Sequence, residues 1–136
     1  MFLENNKPTI LAVDDSKVMQ EMIKASIGNN YQIVVANNAE EALSLMYKYP
    51  IEILLLDVSM PDIDGFFLCR TLRCLPQFGD LPIVMLTSRD KVFDKVQGRL
   101  AGATEYLTKP FDAKNLRDVC SKIRENDSAK LGVGDE

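Results

Sequence analysis

Asp14, Asp15, Asp57, Thr87, Ser88 and Lys109 are the residues of this 136-residue chain whose types and spacing could do chemistry together. Each set follows directly on a short apolar run: Asp14 and Asp15 on TILAV (9–13), Asp57 on IEILLL (51–56), Thr87 and Ser88 on LPIVML (81–86), Lys109 on TEYLT (104–108). The chain has no His, which removes a histidine general base and every Ser/His or Cys/His nucleophilic pair. Three carboxylates at one edge repel one another unless a cation joins them. Oxygen donors without imidazole or thiol suit a hard ion, and Mg²⁺ takes one or two carboxylates while keeping several waters. Lys109 adds a further positive charge beside Asp57. An Asp carboxylate can attack a phosphoryl group to give an aspartyl-phosphate, a reaction catalysed mainly by positioning and charge neutralisation. On this reading Asp57 attacks, the other carboxylates hold the metal, and Mg²⁺, Lys109 and the Thr87 hydroxyl surround the phosphoryl oxygens. Taken singly, each residue has a plainer explanation: a helix cap, a loop residue or a solvated strand end.

What turns these plain residues into a set is the architecture that must position them. TILAV, YQIVVA (31–36), IEILLL and LPIVML are mostly too continuous for one-sided strands and suggest a parallel sheet buried on both faces, with TEYLT as a shorter fifth strand. Helical spacing joins Val18, Met19, Met22, Ile23 and Ile27, then Ala42, Leu45 and Met46, then Val92, Phe93, Val96 and Leu100, and finally Leu116, Val119 and Ile123. Ser16, Asn38 with Glu41, Asp64 or Asp62, and Asp112 read as helix caps, and Gly28 and Gly102 as helix stops. Five β-α alternations predict an α/β fold, a flavodoxin-like (βα)5 doubly wound sheet ordered 2-1-3-4-5. In such sheets functional groups gather outside the C-terminal strand ends, where these residues fall. The domain is expected over 8–125, with 1–7 and 126–136 as a loose N-terminal tail and a flexible C-terminal tail.

Composition closes off other classes. With 16 Lys plus Arg against 20 Asp plus Glu the net charge is −4, which argues against direct nucleic-acid binding. No apolar run approaches the roughly 18 residues of a membrane span and the N-terminus lacks a secretory pattern, so a cytoplasmic protein without membrane insertion is expected. Cys69, Cys74 and Cys120 lack CxxC spacing and are expected to be buried thiols.

VDDS (13–16), LLLDVSMPDIDG (54–65), VMLTS (84–88) and GATEYLTKPF (102–111), in this order, closely resemble the receiver domain of two-component response regulators, the CheY-like family, over about residues 8 to 124. The resemblance implies that Asp57 accepts phosphate from a sensor histidine kinase or phosphotransfer protein. It implies Mg²⁺, with Mn²⁺ as a substitute, bound by Asp15, Asp57, Asp14 and the Ser59 backbone carbonyl. Thr87 and Lys109 contact the phosphoryl group, Tyr106 is an aromatic switch following Thr87, and the bond before Pro110 is cis. Ser59 and Arg89 tune phosphate lifetime, and the domain dephosphorylates itself rather than acting as an enzyme. Output to a downstream effector protein is expected through the fourth helix, fifth strand and fifth helix, around Lys91, Lys95 and Arg99; a phosphorylation-dependent dimer is admitted. Residues 88–111 further resemble the PilG-like regulators of type IV pilus motility and phototaxis and the PatA-type proteins.

Two other classes compete. A Mg²⁺-dependent phosphatase of the haloacid-dehalogenase type resembles D-x-D-x-[TV], whereas DVSMP places Ser59 at the second Asp. A phosphorylation-independent interaction module would keep the fold and ignore phosphate.

Overall fold

Runs of Ile, Leu and Val without polar interruption satisfy the hydrophobic effect only when both strand faces are covered. The computed structural model, which describes residues 7–60, 64–87 and 92–134, places them so. Strands β1 (Thr9–Val13), β2 (Gln32–Ala36), β3 (Ile51–Asp57), β4 (Ile83–Thr87) and β5 (Glu105–Thr108) form one parallel sheet in the order β2-β1-β3-β4-β5. Helices α1 (Lys17–Ile27), α2 (Ala39–Lys48), α3 (Gly65–Arg73), α4 (Val92–Ala101) and α5 (Ala113–Gly134) alternate with them. This is the flavodoxin-like α/β order expected from the sequence.

Alternate residues of each central strand serve opposite cores. Leu11, Val13, Leu54, Leu56, Ile83 and Met85 pack with Ala42 and Met46 of α2, Leu68, Cys69 and Leu72 of α3 and Ala101 of α4. Ile10, Ala12, Ile53, Leu55, Val84 and Leu86 pack with Ile23 and Ile27 of α1 and Leu116, Cys120 and Ile123 of α5. Complete burial of such a side chain contributes about 1.5–3 kcal/mol, so the strand ends rest on the best-anchored part of the molecule. Register then aligns them: Val13 pairs with Leu56, Leu56 with Met85, Asp57 with Leu86, and Thr87 with Thr108. One step beyond Val13 brings Asp14 level with Asp57.

The helix starts are held by their expected caps. Ser16 Oγ accepts from the Met19 N–H, Asn38 Oδ1 from Glu41 N–H, and Asp64 Oδ1 from the N–H groups of both Phe66 and Phe67. Asp112 and Asn115 cap α5 reciprocally through each other's backbone N–H. Each such cap contributes about 1 kcal/mol. Gly102, at φ 102°, supplies the left-handed residue after α4.

Three helix readings change. α5 continues to Gly134 where a loose tail was expected from 126; no Pro interrupts it, and Asn126, Asp127 and Ser128 are only mildly unfavourable inside a helix. In α1, Val18 is 80% exposed, because the inward face runs through Gln20, Ile23 and Ile27. In α4, two residues of the expected apolar core stripe, Val96 and Leu100, face water, while Gly98 and Ala101 are buried. Asp62, Ser88, Arg89 and Lys91 lie outside the described residues.

Candidate functional site

At the C-terminal edge of the sheet, β1, β3 and the segment after β5 deliver charges that the fold buries. Asp14 and Asp57 are 0% and 3% exposed, and oxygens of Asp14, Asp15 and Asp57 lie within 4.8 Å of one another. Lys109 Nζ stands between the two buried carboxylates, 3.0 Å from Asp14 Oδ2 and 3.3 Å from Asp57 Oδ2. The remaining oxygens are also engaged. Asp14 Oδ1 accepts from the Ser16 N–H at 2.9 Å, and Asp57 Oδ1 accepts from the Ser59 N–H at 2.9 Å and the Ser59 hydroxyl at 2.6 Å. Thr87, buried at the end of β4, adjoins this edge, and its carbonyl receives the Lys109 N–H at 2.6 Å. The Lys109–Pro110 peptide is cis.

Burial pushes the Asp14 pKa upward, opposed by the Ser16 N–H and the Lys109 ammonium and reinforced by the charge on Asp57. One ammonium against three carboxylates leaves the cluster short of positive charge. The donors are all carboxylate oxygen, with no thiol or imidazole among them, which is the set a small hard dication takes. The residues present therefore fit Mg²⁺.

The site residues named from sequence divide by place. Asp14, Asp15, Asp57, Ser59 and Lys109 come together, with Thr87 at the same edge. Tyr106 stands apart on β5, half-buried, its hydroxyl donating to the Lys95 carbonyl of α4. Two residues went unnoticed. Gln20 is buried and donates to the Asp14 carbonyl at 2.6 Å; its signal was its spacing with Ile23 and Ile27. Gly98 is packed against the Tyr106 ring, and nothing in the sequence marks that. Of the cysteines, Cys69 and Cys120 are buried, and burial pushes Cys120 up to about 12; Cys74 is exposed, contrary to expectation, because it caps the end of α3.

A doubly wound parallel sheet with an acidic, cation-fitting pocket at the strand ends defines a class of α/β domains that carry their functional site where the strand order reverses. Within it, residues 10–121 match the family model of the response regulator receiver domain, and the chain belongs to that family. It is 40% identical to Response regulator MprA of Mycobacterium leprae over 126 residues, which cover 89% of the chain and 54% of that protein. It is 35% identical to the probable transcriptional regulator ycf27 of Porphyra purpurea over 134 residues, 97% of the chain and 54% of that protein. The chain thus spans about half the length of these relatives. Among solved structures, chemotaxis response regulator CheY4 of Vibrio cholerae superposes with a TM-score of 0.81 at 30% identity, covering 87% of this chain and 99% of that one. A putative response regulator from Chloroflexus aurantiacus gives 0.82 at 38% identity, covering 87% and 98%. Receiver domains are phosphoacceptors of two-component systems that bind Mg²⁺ at an acidic pocket and interact with histidine kinases and effectors. Among the described residues, no helix is long and apolar enough to cross a membrane.

Proposed function

We propose that Asp57 is the phosphoacceptor of a switch that a histidine kinase or phosphotransfer protein drives. The carrying observation is Lys109 Nζ 3.3 Å from Asp57 Oδ2 and 3.0 Å from Asp14 Oδ2, beside three carboxylates within 4.8 Å. A carboxylate oxygen of Asp57 attacks phosphorus, a P–O bond forms as the P–N bond of the phosphohistidine breaks, and the departing imidazole nitrogen takes up a proton. Asp14, Asp15, Asp57 and the Ser59 carbonyl would hold Mg²⁺, for which Mn²⁺ would substitute, and the bound ion would supply positive charge to the phosphoryl oxygens. Lys109 and the Thr87 hydroxyl bind the phosphoryl oxygens, and Ser59, on Asp57 Oδ1, tunes hydrolysis.

Phosphate biases a pre-existing equilibrium, and a few kcal/mol of differential affinity suffices to move most of the population. Tyr106 reports that change to the face formed by α4, β5 and α5, where exposed Val96, Leu100 and Arg99 meet an effector or a second copy. A role in motility or phototaxis follows from the resemblance of residues 88–111.

Intact mass tests the acceptor. Wild type incubated with acetyl phosphate and Mg²⁺ gains one phosphate-sized increment that a chelator abolishes, and Asp57→Asn gains none. Equal labelling of both proteins would remove Asp57 from the role.

A further inference from the structure

Gln20 is 2% exposed, and an amide buried so deeply destabilises the fold unless its polar atoms are hydrogen-bonded. It lies with Ile23 and Ile27 on the inward face of α1, where packing alone favours an apolar side chain. Its Nε2 meets the Asp14 carbonyl oxygen at 2.6 Å and Asn37 Oδ1 at 2.8 Å, which occupies both of its N–H donors. Asn37 is fixed in turn: its side-chain amide donates to Glu41 Oε1 at 3.2 Å and its backbone N–H donates to the same oxygen at 2.7 Å. This chain of bonds runs from the first turn of α2 to the peptide that joins Asp14 to Asp15.

The two aspartates are held differently. Asp14 is anchored through both carboxylate oxygens and by its N–H to the Ala36 carbonyl at 3.1 Å. Asp15 is exposed, yet one of its carboxylate oxygens belongs to the acid cluster. The orientation of the Asp14–Asp15 peptide therefore decides where Asp15 points, and the Gln20 amide grips that peptide by its oxygen.

We infer that Gln20 is a positioning residue for the divalent cation, holding the Asp14–Asp15 peptide so that the Asp15 carboxylate stays with Asp14 and Asp57. This rests on the reading of those three carboxylates as the metal site. Partners of this outer kind typically control metal affinity by 10–100-fold, and a grip on backbone rather than on a ligand atom belongs at the low end.

Calorimetric titration of the metal-free protein with MgCl₂ tests it. Gln20→Met keeps length and apolar packing but removes both donors, and should raise the Mg²⁺ Kd about tenfold. Asn37→Ala, at an exposed position, cuts the outer anchor alone and should raise it less, in the same direction. Labelling of Gln20→Met by acetyl phosphate should be slow at low Mg²⁺ and return to the wild-type rate at saturating Mg²⁺. A rate that stays low at saturation, or a Kd unchanged in both variants, overturns the assignment of Gln20. Should Gln20→Met fail to fold, Asn37→Ala decides by the same Kd. Wild type showing no saturable Mg²⁺ binding is a different failure, since it removes the metal site on which the inference rests.

Discussion

Tyr106 and Lys109 are three residues apart in sequence, yet their surroundings are built on opposite plans. Around Lys109, side chains from β1, β3 and the segment after β5 hold one another by charge, and the acids at the centre are shut away from water. Around Tyr106, helix α4 turns Val96 and Leu100 outward, 48% and 74% exposed. Within residues 95–101, α4 buries Gly98 and Ala101. A pocket whose groups fix one another has its geometry before any substrate arrives, which is what phosphoryl transfer needs. A helix face that leaves apolar side chains in water is open to a partner, which is what a reporting surface needs.

The sharpest way to break that contrast is to make the same substitution in both places. Leu56 is fully buried one residue before Asp57, so Leu56→Ala should lose about 3 kcal/mol in urea unfolding. Leu100→Ala should change stability by less than about 0.5 kcal/mol. Comparable losses would mean that the α4 flank is as tightly built as the floor of the pocket.

Charge offers the second test. Burial raises the Asp14 pKa above its unfolded value, so the folded state favours the protonated acid, and ionising it near neutral pH opposes folding. Asp14→Asn should therefore raise the urea midpoint of the metal-free protein at pH 7. That advantage should shrink as pH falls towards the ordinary carboxylate value of 3.8 and vanish below it, where wild-type Asp14 carries a proton in both states. A lower midpoint at pH 7 would show that the Lys109 pairing outweighs desolvation, making the pocket a source of stability rather than a cost borne for function.

The same contrast explains what could be read from sequence. The strands and their terminal acids were legible because apolar runs ending in charge are local patterns, and the parallel-sheet rule then brings together residues 95 positions apart, as with Lys109 and Asp14. The rotation of the helices was not legible. Val18, Val96 and Leu100 have helical spacing but point to water, because the buried face of α1 includes Gln20 and that of α4 includes Gly98 and Ala101, residues that a search for apolar stripes passes over. Gln20 and Gly98 show their purpose only through partners that arrive from β1, β2 and β5.

Gly98 gives the finest test of the flank. A Cβ there would lie 2.7 Å from the Tyr106 ring carbons Cε1 and Cζ, too close for both to stay, and the tyrosine, as the far end of a flexible side chain, is the partner that yields, giving up its bond to the Lys95 carbonyl. Alanine also removes the penalty of about 0.5–1 kcal/mol that glycine carries inside a helix, so part of the lost packing is offset. Gly98→Ala should thus shift stability by no more than about 1 kcal/mol while moving Tyr106 out of its contact with α4. The Tyr106 ring resonances, assigned by comparison with Tyr106→Phe, should move in the unphosphorylated variant towards the positions that wild type adopts with acetyl phosphate and Mg²⁺. Ring resonances that match unphosphorylated wild type would show that α4 shifts to make room and that the notch does not govern the tyrosine. A shift in the ring without phosphate would mean that one missing methyl group sets the resting state of the flank, independently of the charged pocket three residues away.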